Sequence, residues 1–177
     1  MTRYVALLRG VNVGGRNRLL MADWKALLAA RGYACIATYV QSGNAVFDAD
    51  EAPDELQAQI TEDFEDRFGF APGCCILSAA DLDAALAANP FPEVMETPKA
   101  LHLVFLHGEA VLDEEAAEAL CAAGEQFHMG QGVFYLFTPN GYGRSKIAER
   151  LDRVLKADLM TARNLSSCLK LQEMAHA

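Results

Sequence analysis

Short apolar runs alternate along this chain with longer stretches in which apolar side chains recur every third or fourth position. Strands bury successive side chains on opposite faces, whereas a helix buries one stripe, so the two patterns predict different elements. Residues 3–8 read as a buried strand halted by Gly10. Met21, Trp24, Leu27 and Leu28 line one face of a helix over 21–30, with Gly32 as its stop. A hairpin follows, 35–40 returning as 45–47 around Gln41-Ser42-Gly43-Asn44. Pro53 opens a second helix whose Leu56, Ile60, Phe64 and Phe68 form a four-residue ladder ended by Gly69, and 72–77 is a fourth strand. Ser78 caps a short helix over 80–88. The stretch 89–98, with three prolines, is the best candidate boundary.

The same order then recurs: a strand over 101–106, a helix over 114–123, and a hairpin of 126–129 with 133–137. A helix over 144–155, a short edge strand over 158–161 and a closing helix over 166–174, capped from the Asn164 region, complete it. The expected fold is therefore α+β, two ferredoxin-like (βαββαβ) subdomains packed together, with a short extra helix after the first and a C-terminal helix. The expected domains are 1–95 and 96–177. No residue-level repeat supports a duplication, which rests on element order alone.

Four polar segments leave strand ends and carry the candidate chemistry. The first contains Arg9, Asn12, Gly14, Gly15, Arg16 and Asn17. Its Gly10-x-x-x-x-Gly15-Arg16-Asn17 approaches a phosphate-cradling P-loop, but lacks the lysine and the magnesium-binding hydroxyl. The following helix also starts late, near Met21. Glycines there can still turn backbone amides toward an anion, and the arginines can offer forked donors. A glycine-rich turn with solvated arginines is the competing reading. The second segment offers Gln41, Ser42 and Asn44, with Gly43 at a positive-φ position and Asn44 tolerant of one. The third, Gly141 to Lys146, brings Arg144, Ser145 and Lys146 to the start of a helix, where cations oppose the macrodipole unless an anion completes the site. The fourth is a loop, Thr161-Ala162-Arg163-Asn164, with Arg163 as a contact and Asn164 as a helix cap.

Charge sharpens this picture. The net charge is −9, with 24 acidic against 15 basic residues. Residues 1–46 nevertheless hold six cations and one acid, Asp23, whereas 47–137 hold two cations and nineteen acids. The overall balance argues against a nucleic-acid partner. The segregation favours a positive site for an anionic small molecule, phosphorylated or nucleotide-like, where the two basic ends of the chain would meet at the junction of the halves. An RNA- or protein-interaction module, or a homodimer pairing through exposed sheet edges, is the alternative.

The apolar runs are too short to span a bilayer, and the N-terminus reads as the first strand, so the expected location is cytoplasmic with no membrane partner. Five cysteines without a C-x-x-C, and four histidines without ligand spacing, give no metal site and no identifiable cofactor. Adjacent Cys74 and Cys75 should face opposite sides of a strand, one in the core and one a surface thiol. His102 and His128 sit in apolar strands as packing or edge residues. No nucleophile–base pair is visible, so whether the protein is an enzyme stays open.

Tyr4-Val5-Ala6-Leu7-Leu8-Arg9-Gly10-Val11-Asn12-Val13-Gly14-Gly15-Arg16-Asn17, followed by Tyr39-Val40-Gln41-Ser42-Gly43-Asn44, resembles a bacterial family, domain of unknown function 1697. The segments 141–146 and 161–164 are also similar to its later motifs. The resemblance implies an α+β fold with ferredoxin-like subdomains and lends no substrate or mechanism. After Arg163-Asn164 the family usually has an aromatic residue and a threonine, where this chain has Leu165, Ser166 and Ser167.

Overall fold

The computed structural model describes residues 1–177. It is a mixed α+β protein of seven helices and antiparallel sheets. Backbone contacts group Met1–Ala84 with Lys170–Ala177 as one compact unit and Ala85–Leu169 as a second. No helix is long and apolar enough to cross a membrane.

The first unit runs β1 (Thr2–Arg9), α1 (Met21–Ala30), β2 (Ala34–Tyr39), β3 (Asn44–Ala49), α2 (Pro53–Phe68), β4 (Gly73–Ser78) and α3 (Ala79–Ala87), the last crossing the unit boundary. Its sheet has the order β2-β3-β1-β4, every pair antiparallel. Both long helices begin and end where the pattern predicts. Proline at the first position of α2 wastes no helical donor, and Gly69 closes that helix in the left-handed conformation at φ 73°. Trp24, Leu27 and Leu28 of α1 and Leu56, Ile60 and Phe64 of α2 pack on Tyr4, Ala6, Leu8, Ala45 and Phe47 of the sheet. At about 1.5–3 kcal/mol per fully buried large side chain, this stripe-on-sheet burial dominates the unit's stability.

The opposite face of the same sheet is buried too, since Val5, Leu7 and Val46 are 0–1% exposed. This corrects the expectation for the paired cysteines: Cys74 is 1% and Cys75 4% exposed, so neither is a surface thiol. A sheet covered on both sides leaves no wet face for the second cysteine. Burial holds the Cys74 thiol well above its ordinary pKa. The C-terminal segment is tied within this unit by Asp83, whose carboxylate accepts from Gln172 Nε2 at 2.7 Å and lies 2.9 Å from His176 Nε2.

The second unit runs β5 (Leu101–His107), β6 (Val111–Leu112), α4 (Glu114–Leu120), β7 (Gln126–Met129), β8 (Val133–Phe137), α5 (Lys146–Glu149), α6 (Leu151–Val154), β9 (Leu155–Lys156) and β10 (Leu159–Asn164), and includes the start of α7 (Leu165–Ala175). Its main sheet has the order β10-β5-β8-β7 and is also antiparallel throughout. Two 3₁₀ turns, Pro92–Glu96 and Pro98–Ala100, occupy the proline-rich stretch before it.

Three expectations fail in this unit. The helix foreseen over 144–155 is two single turns broken at Arg150, and the second ends at Val154 because Leu155 leaves to pair with Leu112 in a two-residue ladder. Strands as short as β6 and β9 carry no readable period. The helix foreseen to 123 stops at Leu120: Cys121 is extended, and the Glu125 carboxylate accepts from the Ala122 amide at 3.0 Å. Finally, 161–164 is no loop. Those residues complete β10, where Ala162 faces Val104 and Asn164 faces His102.

Two features generate predictions. The turn before β3 has Val40 at φ 51° and Gly43 at φ 82°, and the Leu8 amide donates to Gly43 O at 3.1 Å. A Cβ on Gly43 would stand 2.7 Å from Leu8 Cβ and 2.9 Å from Val11 Cγ2. Gly43→Ala should cost about 2–4 kcal/mol, strain plus overpacking. Gly32→Ala, at φ 83° with open space around it, should cost only about 1 kcal/mol. Urea denaturation of both would show it, and equal losses would eliminate the steric part.

On β5, the His102 ring stacks on Tyr142 at 3.9 Å between centroids, and its Nδ1 is buried without a hydrogen-bond partner. Burial pushes its pKa down to about 4. An unfolded histidine titrates near 6.5 and so takes up its proton first as pH falls. The folded state therefore loses stability from about pH 6.5 down to about pH 4, by up to roughly 1–3 kcal/mol. His102→Phe should flatten that part of the stability–pH curve while keeping the stack. Identical slopes for the two proteins would remove His102 as the titrating group.

Candidate functional site

The glycine-rich segment after β1 is a small, self-bonded hairpin. Gly14 and Gly15 have φ 59° and 74°, the mirror-image turn in which both central residues are left-handed, and the Arg16 amide donates to Val13 O at 3.1 Å to close it. Asn12 and Asn17, also left-handed, continue the pairing, with the Asn12 amide donating to Asn17 O. Asparagine tolerates that region better than other side-chain-bearing residues. The Asn17 side chain donates to Gly10 O at 3.0 Å and so ties the hairpin's stem.

Asn12 does most to place this hairpin. Its Nδ2 donates to Leu19 O at 2.9 Å and to Gln41 O at 2.7 Å, while its Oδ1 accepts from the Leu19 amide at 2.9 Å. One amide thereby joins the first polar segment to the second. The side chain is fully committed, so Asn12 shapes the site and has no remaining donor for a ligand.

Asn44 differs from expectation in the same sense. It is the first residue of β3, is 0% exposed, and donates to Tyr39 O and Ser42 Oγ. The left-handed residues of this turn are Val40 and Gly43. A β-branched residue at φ 51° is rare and stores strain, which the Leu8–Gly43 and Asn12–Gln41 bonds hold in place.

The arginines of the first unit divide into paired and unpaired. Arg3 is paired with Asp48 at 2.6 Å, and Arg31 grips Asp63 through two nitrogens at 2.6 and 2.8 Å. Arg9, Arg16 and Arg18 are exposed and make no ion pair or side-chain hydrogen bond. Arg18 lines a cleft of about 440 Å³ with Asn12, Leu19, Leu20, Asp23, Gln41 and Phe68. Leu20, the residue before α1, is 67% exposed and caps the helix with no side-chain bond. Arg18, Asp23 and Phe68 were not singled out from the sequence. The signal for Asp23 was its position as the single acid among the first 46 residues.

In the second unit, 141–146 and 161–164 do come together. Tyr142 lies on His102, and His102 is the ladder partner of Asn164. The chemistry there is more structural than the sequence implied. Gly141 starts a 3₁₀ turn at φ 101°; Ser145 is 2% exposed, and its hydroxyl accepts from the Ala148 amide. Arg144 and Lys146 are exposed and unpaired. The helix they introduce has only four residues, too short for a macrodipole argument. The Arg163 guanidinium donates to Ala162 O at 2.9 Å, and Asn164 Oδ1 accepts from the Ser167 amide, the expected cap of α7. Cys168 is buried and its thiol is pushed up to about 12, which leaves it no thiolate near neutral pH.

The arrangement presents the exposed guanidinium groups of Arg9, Arg16 and Arg18 on one hydrogen-bonded hairpin.

A search of curated proteins finds no match. Among solved structures, the chain is similar to the conserved bacterial protein SP0830 from Streptococcus pneumoniae, at 26% identity and a TM-score of 0.75, with 98% of each chain covered. A family model described as "Protein of unknown function (DUF1697)" matches residues 1–135, which include the glycine hairpin and the turn at Gln41–Asn44; the segments at 141–146 and 161–164 lie beyond that match. The chain belongs to the DUF1697 family.

Proposed function

We propose that this protein binds an anionic small molecule, phosphorylated or nucleotide-like, on the Arg9–Arg18 hairpin beside the Gln41-Ser42-Gly43 turn. One observation carries the proposal. In a chain with 24 acidic residues, Arg9, Arg16 and Arg18 find no protein partner, although their backbone is fixed by its own hydrogen bonds. Flexible surface cations are common, but cations on a pre-formed hairpin with five left-handed residues leave only their side chains to be ordered on binding, the backbone being already placed. The strand orders β2-β3-β1-β4 and β10-β5-β8-β7 support a ferredoxin-like reading of both units, in which strand-end loops carry the ligand. Arg144 and Lys146 are a second cationic element of the same kind.

Pyrophosphate, phosphosugars and nucleotides at millimolar concentration should raise the melting temperature, less so at high salt. Arg16→Ala with Arg18→Ala should weaken pyrophosphate binding by at least about tenfold, because each lost charge-assisted contact costs roughly 1.5–3 kcal/mol. Arg31→Ala, which removes an arginine already paired with Asp63, should leave that binding unchanged. No stabilisation by any of these anions, with the double variant behaving as wild type, would end the proposal.

A further inference from the structure

The cleft beside the hairpin holds a carboxylate and a guanidinium that do not meet. Asp23 and Arg18 both line it, yet neither forms an ion pair or a side-chain hydrogen bond. The Gln41 side-chain amide is likewise uncommitted, whereas Asn12, which also lines the cleft, is fully used. Apolar surface completes the walls through Leu19, Leu20 and Phe68, the last with Arg67 over its ring at 5.6 Å from the centroid.

Two opposite charges held apart in one cleft select a ligand with complementary groups at both ends. The cationic end is the stronger. Arg18 lines the cleft itself, and Arg9 and Arg16 belong to the adjoining hairpin, so three guanidinium groups stand in this segment against the one carboxylate of Asp23, which suits a phosphate dianion better than a single carboxylate. At the other end, a carboxylate with both oxygens available accepts two donors from neighbouring hydroxyl groups. A cleft of about 440 Å³ is in the usual size range for a small metabolite.

On this basis we infer that the cleft takes a phosphate ester bearing adjacent hydroxyls, a sugar phosphate or a nucleotide, with Arg18 and its neighbours on the phosphate and Asp23 on the hydroxyls. The inference rests on the anion-binding reading above and adds the group that Asp23 recognises. Gln41 supplies a neutral donor and acceptor between the two ends. Leu20 and Phe68 cover the face of the sugar or base.

Calorimetry with five probes tests it: pyrophosphate, ribose 5-phosphate, 2-deoxyribose 5-phosphate, AMP and 2′-deoxy-AMP. The ribo forms should bind at least about tenfold more tightly than their deoxy counterparts. Asp23→Asn should abolish that preference while keeping or strengthening pyrophosphate binding, which also shows that the variant is folded. A gain for AMP over ribose 5-phosphate identifies the nucleotide, and equal affinity identifies the sugar phosphate. Equal binding of ribo and deoxy forms, or a preference that survives Asp23→Asn, overturns the role of Asp23 while Arg16- and Arg18-dependent pyrophosphate binding still stands. If none of the five probes binds, the anion-binding reading falls with it.

Discussion

The bond from the Asn12 side chain to the carbonyl of Gln41 is the constraint on which the N-terminal loops depend. Twenty-nine residues separate the two, and both lie in connections that would otherwise be free to move. The same amide bonds Leu19 through both its oxygen and its nitrogen, so the chain entering α1 is placed relative to β1 and β3 at once. Side-chain amides do this well because they match the donor and acceptor spacing of a peptide unit. Left-handed asparagines, a strained valine and a crowded glycine then follow from the same economy: a tight path is needed, and each residue is one that can take it or is held in it.

A rigid frame changes what the surrounding charges mean. An arginine on a mobile tail is satisfied by water, and binding must first order it. Here the backbone is held by its own hydrogen bonds; Asp48 and Asp63 are taken up by Arg3 and Arg31, and Asp23, though it lines the same cleft, pairs with none of Arg9, Arg16 and Arg18. Three exposed guanidinium groups thus stand without a protein partner in a chain of net negative charge, on the segment where exposed Val13 and Leu20 interrupt the polar surface.

How much of this could be read from residues alone follows from the range of the forces involved. The helices 21–30 and 53–68 and the hairpin 126–137 were legible because Trp24, Leu27, Phe64 and their like repeat at one period, and Pro53, Gly69 and Gly132 mark the limits. The pairing of Leu155 with Leu112 was not legible, because two residues make no period and the partner is 43 positions away. Nor was the burial of Cys75 legible, since alternation says which side of a strand a residue faces but not whether that side is covered. The glycine hairpin was legible as a turn from Gly14 and Gly15, whose positive φ angles the sequence permits. That Asn12 and Asn44 are internal braces was not legible, because an amide in a polar loop looks the same whether it serves the fold or a ligand.

The single tryptophan adds a practical consequence. Trp24 is fully enclosed, lies 5.2 Å from the Phe64 ring, and has an indole N–H without an acceptor. Its emission should lie toward the blue in the native protein and report the packing of the first unit alone. Circular dichroism in the peptide region, by contrast, registers helices of both units. Comparing the two optical signals during a melt therefore measures directly whether the two compact bodies lose their order together or one after the other.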